Sequence, residues 1–423
     1  MSAPSIAVDT SSIHKLDNGL TVLLEPLPYL RTAAAGVWIA TGSANERPEQ
    51  AGVSHFLEHL FFKGTTKRTA RQLMEAIESK GGHLNAFTSR DYTCLYAKML
   101  GEHVGVAIEI LGDIVKDSQF FDFEKERNVI LEEIASSEDV PEDHVHDLLT
   151  RNFWPDHPLG TPIAGSKETM TAMTPADVRT YFEHWYRPEN LIVSVAGCFD
   201  EAIVLEQIRQ EFSSLTAGVA QQPDSVPAFT PGIHHAASDI SQDHLAFAFP
   251  GPSIFDDKRY VYNMLSNALG GGPTSRLFET IREQEGLAYS IYGYHASYWR
   301  TGMMGVYAAI APENLEKTCN LAFAEIRKLR EEPLPQQELE LNREQLKGSV
   351  LMTLESTFNR MTRMAKSFMY HGRILPVDEI IAGVEAVTAE EIQQLAQERY
   401  TPEQCALVVL GPKNGARLES VPL

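Results

Sequence analysis

Residues 52–62, GVSHFLEHLFF, decide how the rest of this chain is read. His55 and His59 stand at i and i+4, which places both imidazoles on one face of a helix, close enough to hold a single metal ion, with the carboxylate of Glu58 beside them. Either histidine alone would read as an ordinary core or surface imidazole. With only 14 histidines in 423 positions, a pair at helical spacing that encloses an acid points to metal instead. Zinc accepts imidazole nitrogens, and both must lie on the same helical face to reach it.

Working outward, the length fits two or three domains rather than one core. Hydrophobic residues make up 43% and charged residues 22%, the balance of a globular protein. A net charge of −21 with no basic block argues against nucleic acid as a partner. No apolar run is long enough to cross a bilayer, and the start, MSAPSIAVDT, lacks a basic region followed by an apolar block. The expectation is a cytoplasmic protein without membrane insertion. Cys94, Cys198, Cys319 and Cys405 are far apart with no CxxC pair, so they read as buried free thiols.

Two short strands flank Asp17-Asn18-Gly19, a hairpin signal, and AAAGVWIAT at 33–41 reads as a buried strand. The helix with the histidine pair follows and ends near Lys63-Gly64. Thr69-Ala70-Arg71-Gln72 is a capping box for the next helix, which Gly81-Gly82 stops. Segments 84–88 and 92–100 read as paired strands, 102–116 and 121–137 as helices, and 190–197 as another strand. Residues 216–232, TAGVAQQPDSVPAFTPG, lack periodicity and are taken as a linker. Beyond it the order repeats: strand 244–249, helix 258–269, strands 286–294 and 302–310, helix 313–330, strand 407–411. The expected fold is therefore α+β, with two duplicated domains, 1–215 and 233–423, each a mostly antiparallel sheet packed with helices.

A catalytic zinc wants a third protein ligand and an open fourth position. On the helix near Phe121, Lys125, Asn128, Glu132 and Ser136 form a polar stripe that marks the solvent side. Glu126, Val129, Ile130 and Glu133 share another face, where a buried acid needs a cation as partner. On the residues alone the third ligand is Glu133 or Glu126. Gly270-Gly271-Gly272 lacks a following Lys-Ser/Thr and is not part of a G-x-G-x-x-G, so it reads as a turn before a helix and not as a nucleotide site. His83, His103, His144 and His146 have no matching pair on a metal-bearing face and read as solvated.

The H-x-x-E-H order is the inverse of H-E-x-x-H and is known among zinc peptidases. Together with FKGT at 62–65, Gly81-Gly82, NAFT at 85–88, ERNVILEE at 126–133, HPLG at 157–160, YRPEN at 186–190, GGGPTSRLF at 270–278 and IREQEGLAY at 281–289, it resembles the pitrilysin/insulinase family of zinc peptidases, most of all the half-length, mitochondrial-processing-peptidase-like branch. The resemblance spans nearly the whole chain.

What the resemblance implies is specific. One zinc per chain would be held by His55, His59 and Glu133, with Glu58 as general base and Glu126 supporting the site. Asn85, Ala86 and Phe87 would lie on an edge strand to which an extended peptide adds, and Arg282 and Tyr289 of the second domain would reach the bound substrate. The two domains would face each other across a chamber, and a half-length chain would pair with another copy as a homodimer, with a heterodimer as the alternative. The substrate would be a peptide or unfolded polypeptide such as a presequence. The competing readings are a non-catalytic scaffold subunit of a heteromeric peptidase or respiratory complex, a non-peptidase metal- or peptide-binding protein with an occupied but unused site, and a maturase dedicated to one precursor.

Overall fold

The computed structural model of the chain describes residues 11–218, 226–413, 415 and 417–423. In chain order the first half runs β1 (Ser12–Lys15), β2 (Thr21–Pro26), β3 (Thr32–Ile39), α1 (Val53–Phe61), α2 (Ala70–Glu78), β4 (His83–Thr88), β5 (Thr93–Leu100), α3 (Val104–Asp117), α4 (Phe123–Asp139), α5 (Pro141–Phe153), α6 (Lys167–Ala172), α7 (Pro175–Trp185), β6 (Leu191–Gly197) and α8 (Glu201–Phe212). The second runs β7 (Gly232–Ser238), β8 (Asp243–Gly251), α9 (Arg259–Gly270), a π-helix Phe278–Gln284, β9 (Ala288–Ser297), β10 (Gly302–Ile310), α10 (Leu315–Glu331), α11 (Gln336–Thr353), α12 (Thr357–His371), α13 (Val377–Ala386), α14 (Ala389–Arg399) and β11 (Ala406–Pro412).

The strands form two sheets, ordered β1-β2-β6-β3-β5-β4 and β7-β11-β8-β10-β9. With β1 set aside they share one topology. In each, the first strand pairs in parallel with the last strand of its half, and every other pairing is antiparallel. The expected duplication thus has a physical counterpart in strand order and direction. It was hard to read in the residues because burial constrains where apolar side chains fall far more than which ones they are.

The packing divides the chain into two compact units, and neither is contiguous. The first comprises Met1–Glu132, Ile163–Gln222 and Leu351–Val377, and the second Glu133–Pro162, Pro223–Val350 and Asp378–Leu423. In the first unit α12 packs on β3 and β6; in the second α5 packs on β8 and β11, the equivalent pair of strands. Each sheet is therefore covered by a helix from the opposite half of the sequence. This differs from the expected halves 1–215 and 233–423, because an amphipathic helix shows that one face needs cover without showing which sheet supplies it. The expected linker, 216–232, lies partly outside the described residues, and its last residue opens β7.

Under α12, Met361, Met364 and Ala365 pack with Leu23, Ala34, Trp38, Cys94, Ile192 and Ala196. Polar ties fix the helix: Ser194 Oγ donates to Met361 O at 3.0 Å, Arg360 pairs with the buried Glu25 at 2.7 Å, and Tyr370 OH donates to Asp91 at 3.0 Å. Under α5, His146 bonds the phenols of Tyr292 (2.9 Å) and Tyr294 (3.1 Å), and Tyr292 OH donates to Glu142 at 2.8 Å. His146 is thus not the solvated residue expected from its loop-like surroundings. Among the described residues no helix is long and apolar enough to cross a membrane.

Candidate metal centre

Helix α1 starts at Gly52, whose φ of +94° only glycine adopts freely. A Cβ there would also fall 2.5 Å from Met170 Cε and 2.6 Å from Ala164 O. Glycine has no side chain to cap the helix, and Glu46 does so from outside: its carboxylate accepts from Gly52 N at 2.7 Å and from Ser54 N at 2.8 Å. Burial pushes the Glu46 carboxyl up to about 7, against the pull of those two backbone donors. Nothing local marked Glu46 in the sequence, since it acts across a loop. Behind it, Ser54 Oγ, Tyr181 OH and Thr41 Oγ1 form a buried chain at 2.9 and 2.8 Å.

With Phe56, Leu57, Leu60 and Phe61 wholly buried, the helix turns His55, Glu58 and His59 to a half-buried face. The two imidazole rings lie 4.7 Å apart. Burial, and then the neighbouring His59, hold the His55 imidazole down at about 4, so it keeps the neutral lone pair that a metal requires.

The other wall is α4. The chain enters it through Phe120 and Asp122, both in the left-handed region at φ of 54° and 58°, a strained approach for residues with side chains. Glu126 is 3% exposed; it pairs with Lys63 Nζ at 2.8 Å and stands 3.4 Å from His59 Nδ1. Of the face expected to be buried, Glu126 and Ile130 are, while Val129 is 38% exposed and Glu133 is exposed as well. The division between the units falls inside this one continuous helix, so Glu133 is carried by the same element as Glu126.

The ligand atoms of His55, His59 and Glu133 all lie within 4.8 Å of one another. Two imidazoles and a carboxylate are a donor set that suits catalytic zinc. Glu126, facing His59 Nδ1, occupies the place of an outer carboxylate that fixes a ligating ring's tautomer and orientation. Glu58 Oε2 accepts a hydrogen bond from Thr88 Oγ1 at 2.7 Å. Neither Lys63 nor Thr88 was singled out by sequence reasoning, although both stand inside quoted motifs.

β4 is the edge of its sheet. Asn85 is exposed and Ala86 buried, while Phe87 turns to the other side and packs 5.7 Å from the Trp38 ring, with Tyr92 and Tyr96 also in contact. In the second unit, Arg282 and Tyr289 are brought to each other: Arg282 Nη1 donates to Tyr289 O at 2.7 Å, and its guanidinium lies 4.9 Å from the Tyr289 ring centre. Tyr289 is 83% exposed. Cys94, Cys319 and Cys405 are buried free thiols and Cys198 is partly exposed.

Comparison with known proteins agrees with this fold. The family described as Insulinase (Peptidase family M16) matches residues 21–167, and the one described as Peptidase M16 inactive domain matches residues 172–346. The chain is 38% identical over 401 residues to YmxG of Bacillus subtilis, named an uncharacterized zinc protease, covering 94% of this chain and 98% of the relative. It is 34% identical over 407 residues to an uncharacterized zinc protease of Rickettsia felis, covering 95% and 98%. The fold is shared with a protease from Helicobacter pylori (TM-score 0.89, 22% identity, 95% of this chain and 99% of the other). A peptidase M16 inactive domain structure from Pseudomonas fluorescens gives the same TM-score of 0.89 at 18% identity, over 96% and 100%. The chain belongs to the M16 (insulinase) family of peptidases.

Proposed function

We propose that this chain is a zinc-dependent endopeptidase for extended, unstructured peptides such as presequences, with one zinc per chain held by His55, His59 and Glu133. The observation that carries the reading is the convergence of those three ligand atoms within 4.8 Å, from two helices far apart in sequence. Zinc in that position supplies Lewis acidity toward water and a carbonyl oxygen. Glu58, one residue from His59 on the same helix face, takes a proton from the attacking water and returns it to the leaving amine. Glu126 holds the His59 ring through Nδ1 while Lys63 balances its charge. The outer side of β4, with Asn85 and Ala86, offers backbone groups to an extended peptide by strand addition. Phe87, packed against Trp38, supports that strand from behind. Arg282 and Tyr289 are the proposed contacts to substrate carbonyls from the second unit. A homodimer is the proposed assembly, and sedimentation showing only monomer at micromolar concentration would count against it.

The test is metal analysis and peptide digestion with wild type and Glu58→Gln. The expected result is one equivalent of zinc in both and cleavage only by wild type. Hydrolysis by Glu58→Gln at the wild-type rate would sink the assignment of the base. A wild-type protein that binds zinc but cleaves no peptide would favour a non-peptidase with an occupied but unused site.

A further inference from the structure

The hydroxyl of Thr88 reaches the same carboxylate that the proposed reaction uses as its base. Thr88 is the last residue of β4, paired with Thr93 of β5, and the turn beyond it is closed by Ser89 N donating to Tyr92 O at 2.8 Å. By strand alternation it shares a face with Leu84 and Ala86, the buried side that meets α1. Its Oγ1 has one proton and two acceptors in range, Glu58 Oε2 at 2.7 Å and Ser54 O at 3.4 Å. The shorter bond to the charged acceptor wins. Threonine is stiff at χ1, and its backbone is fixed by the strand ladder, so the donor does not follow the carboxylate about; it sets where the carboxylate points.

We infer that Thr88 is the positioning residue for Glu58, holding Oε2 so that the carboxylate presents one fixed orientation to the reacting water, from the end of the very strand proposed to receive the peptide. This rests on the reading of Glu58 as general base. The role is electrostatic and geometric, made through Glu58, and does not require Thr88 to touch substrate or metal.

The experiment compares wild type, Glu58→Gln, Thr88→Val and Thr88→Ser, each loaded with zinc for kinetics and with cobalt(II) for visible spectra. Valine keeps the branched shape and removes the donor; serine restores the donor. The expected result for Thr88→Val is a kcat lower by roughly ten- to a hundredfold, the order a misplaced catalytic group costs. Its KM should stay within about twofold of wild type, with unchanged zinc content and melting temperature. Thr88→Ser should recover most of the loss. The cobalt bands should move in Thr88→Val and stay in place in Thr88→Ser, a readout that needs no turnover. Thr88→Val at wild-type kcat while Glu58→Gln is inactive overturns the inference and leaves the base assignment standing. Thr88→Ser as slow as Thr88→Val also overturns it, since only shape would then matter. Wild-type turnover by Glu58→Gln instead removes the base assignment, and the cobalt spectra still report whether Thr88 sets the Glu58 carboxylate.

Discussion

Helices α1 and α9 hold the same place in two sheets of one topology, yet among the described residues one faces a group of side chains that could hold a metal ion and the other does not. α1 presents His55, Glu58 and His59; α9 presents Asn263, Ser266 and Asn267 at the same i, i+3, i+4 spacing. Where His59 meets Glu126 and Glu133 on α4, Asn267 donates through Nδ2 to Asn342 Oδ1 at 2.6 Å and Gln345 Oε1 at 2.8 Å on α11. The backbone frame is common to both units. What differs is the donor set: ionisable groups that suit a cation around α1, and neutral amides that satisfy one another around α9. The second frame is closed electrically without a metal, which accords with the inactive-domain description matched there.

The most severe way to break the comparison is to make α1 resemble α9. His59→Asn should lose zinc altogether and with it hydrolysis, by roughly a thousandfold or more, measured by metal analysis and a fluorogenic peptide. If zinc stayed at one equivalent, the cluster would not be the metal site. Next in size is Glu126→Gln, which removes the carboxylate that pairs with Lys63 and stands 3.4 Å from His59 Nδ1. Zinc affinity in chelator competition should weaken by about ten- to a hundredfold, with the fold intact by circular dichroism.

The reverse exchange sharpens the point. Asn263→His and Asn267→His combined with Gln345→Glu should create a second, weaker zinc site, raising bound metal from one equivalent toward two. No second equivalent would mean that the two frames differ in backbone as well as in side chains.

The smallest effect concerns how each unit treats a buried acid. Glu46 is met by two backbone donors, whereas both oxygens of Asp243, 1% exposed, lack a hydrogen-bond partner among the described residues. Burial raises the Asp243 pKa above the ordinary carboxylate value, opposed by the charge of His235. A carboxyl raised in the folded state gives stability that is complete below its unfolded pKa and is lost as pH climbs through the folded one. Asp243→Asn should therefore be more stable than wild type at pH 8, by on the order of 1 kcal/mol, and show no gain near pH 4 in urea unfolding.

The shared face of His55, Glu58 and His59 on α1 was legible because a helix turns local spacing directly into geometry, with no information needed from elsewhere. The capping box at Thr69 and Gln72 was legible for the same reason and is formed. Glu133 was readable only as one of two acids on a shared face, because its distance to the histidines depends on how α4 crosses α1. His146 was misread because its phenol partners come 146 and 148 residues later, on a strand its own neighbourhood does not mention. Thr88 and Glu46 escaped notice as well, since a hydroxyl ending a strand and an acid in a loop become informative only when the helix they serve is in place.

The exchange of α5 and α12 has a consequence for how the protein is born. A chain leaving the ribosome finishes β6 at Gly197, but the helix that covers β3 and β6 arrives with Met361, Met364 and Ala365. At roughly 5–20 residues per second, that face stays bare for roughly ten to thirty seconds of synthesis. The nascent chain thus holds the complete α1 and α4 sequence long before the sheet beside α1 is closed, so the first unit is finished only when almost the entire polypeptide has been made. In that ordering, maturation of the site is tied to completion of the chain.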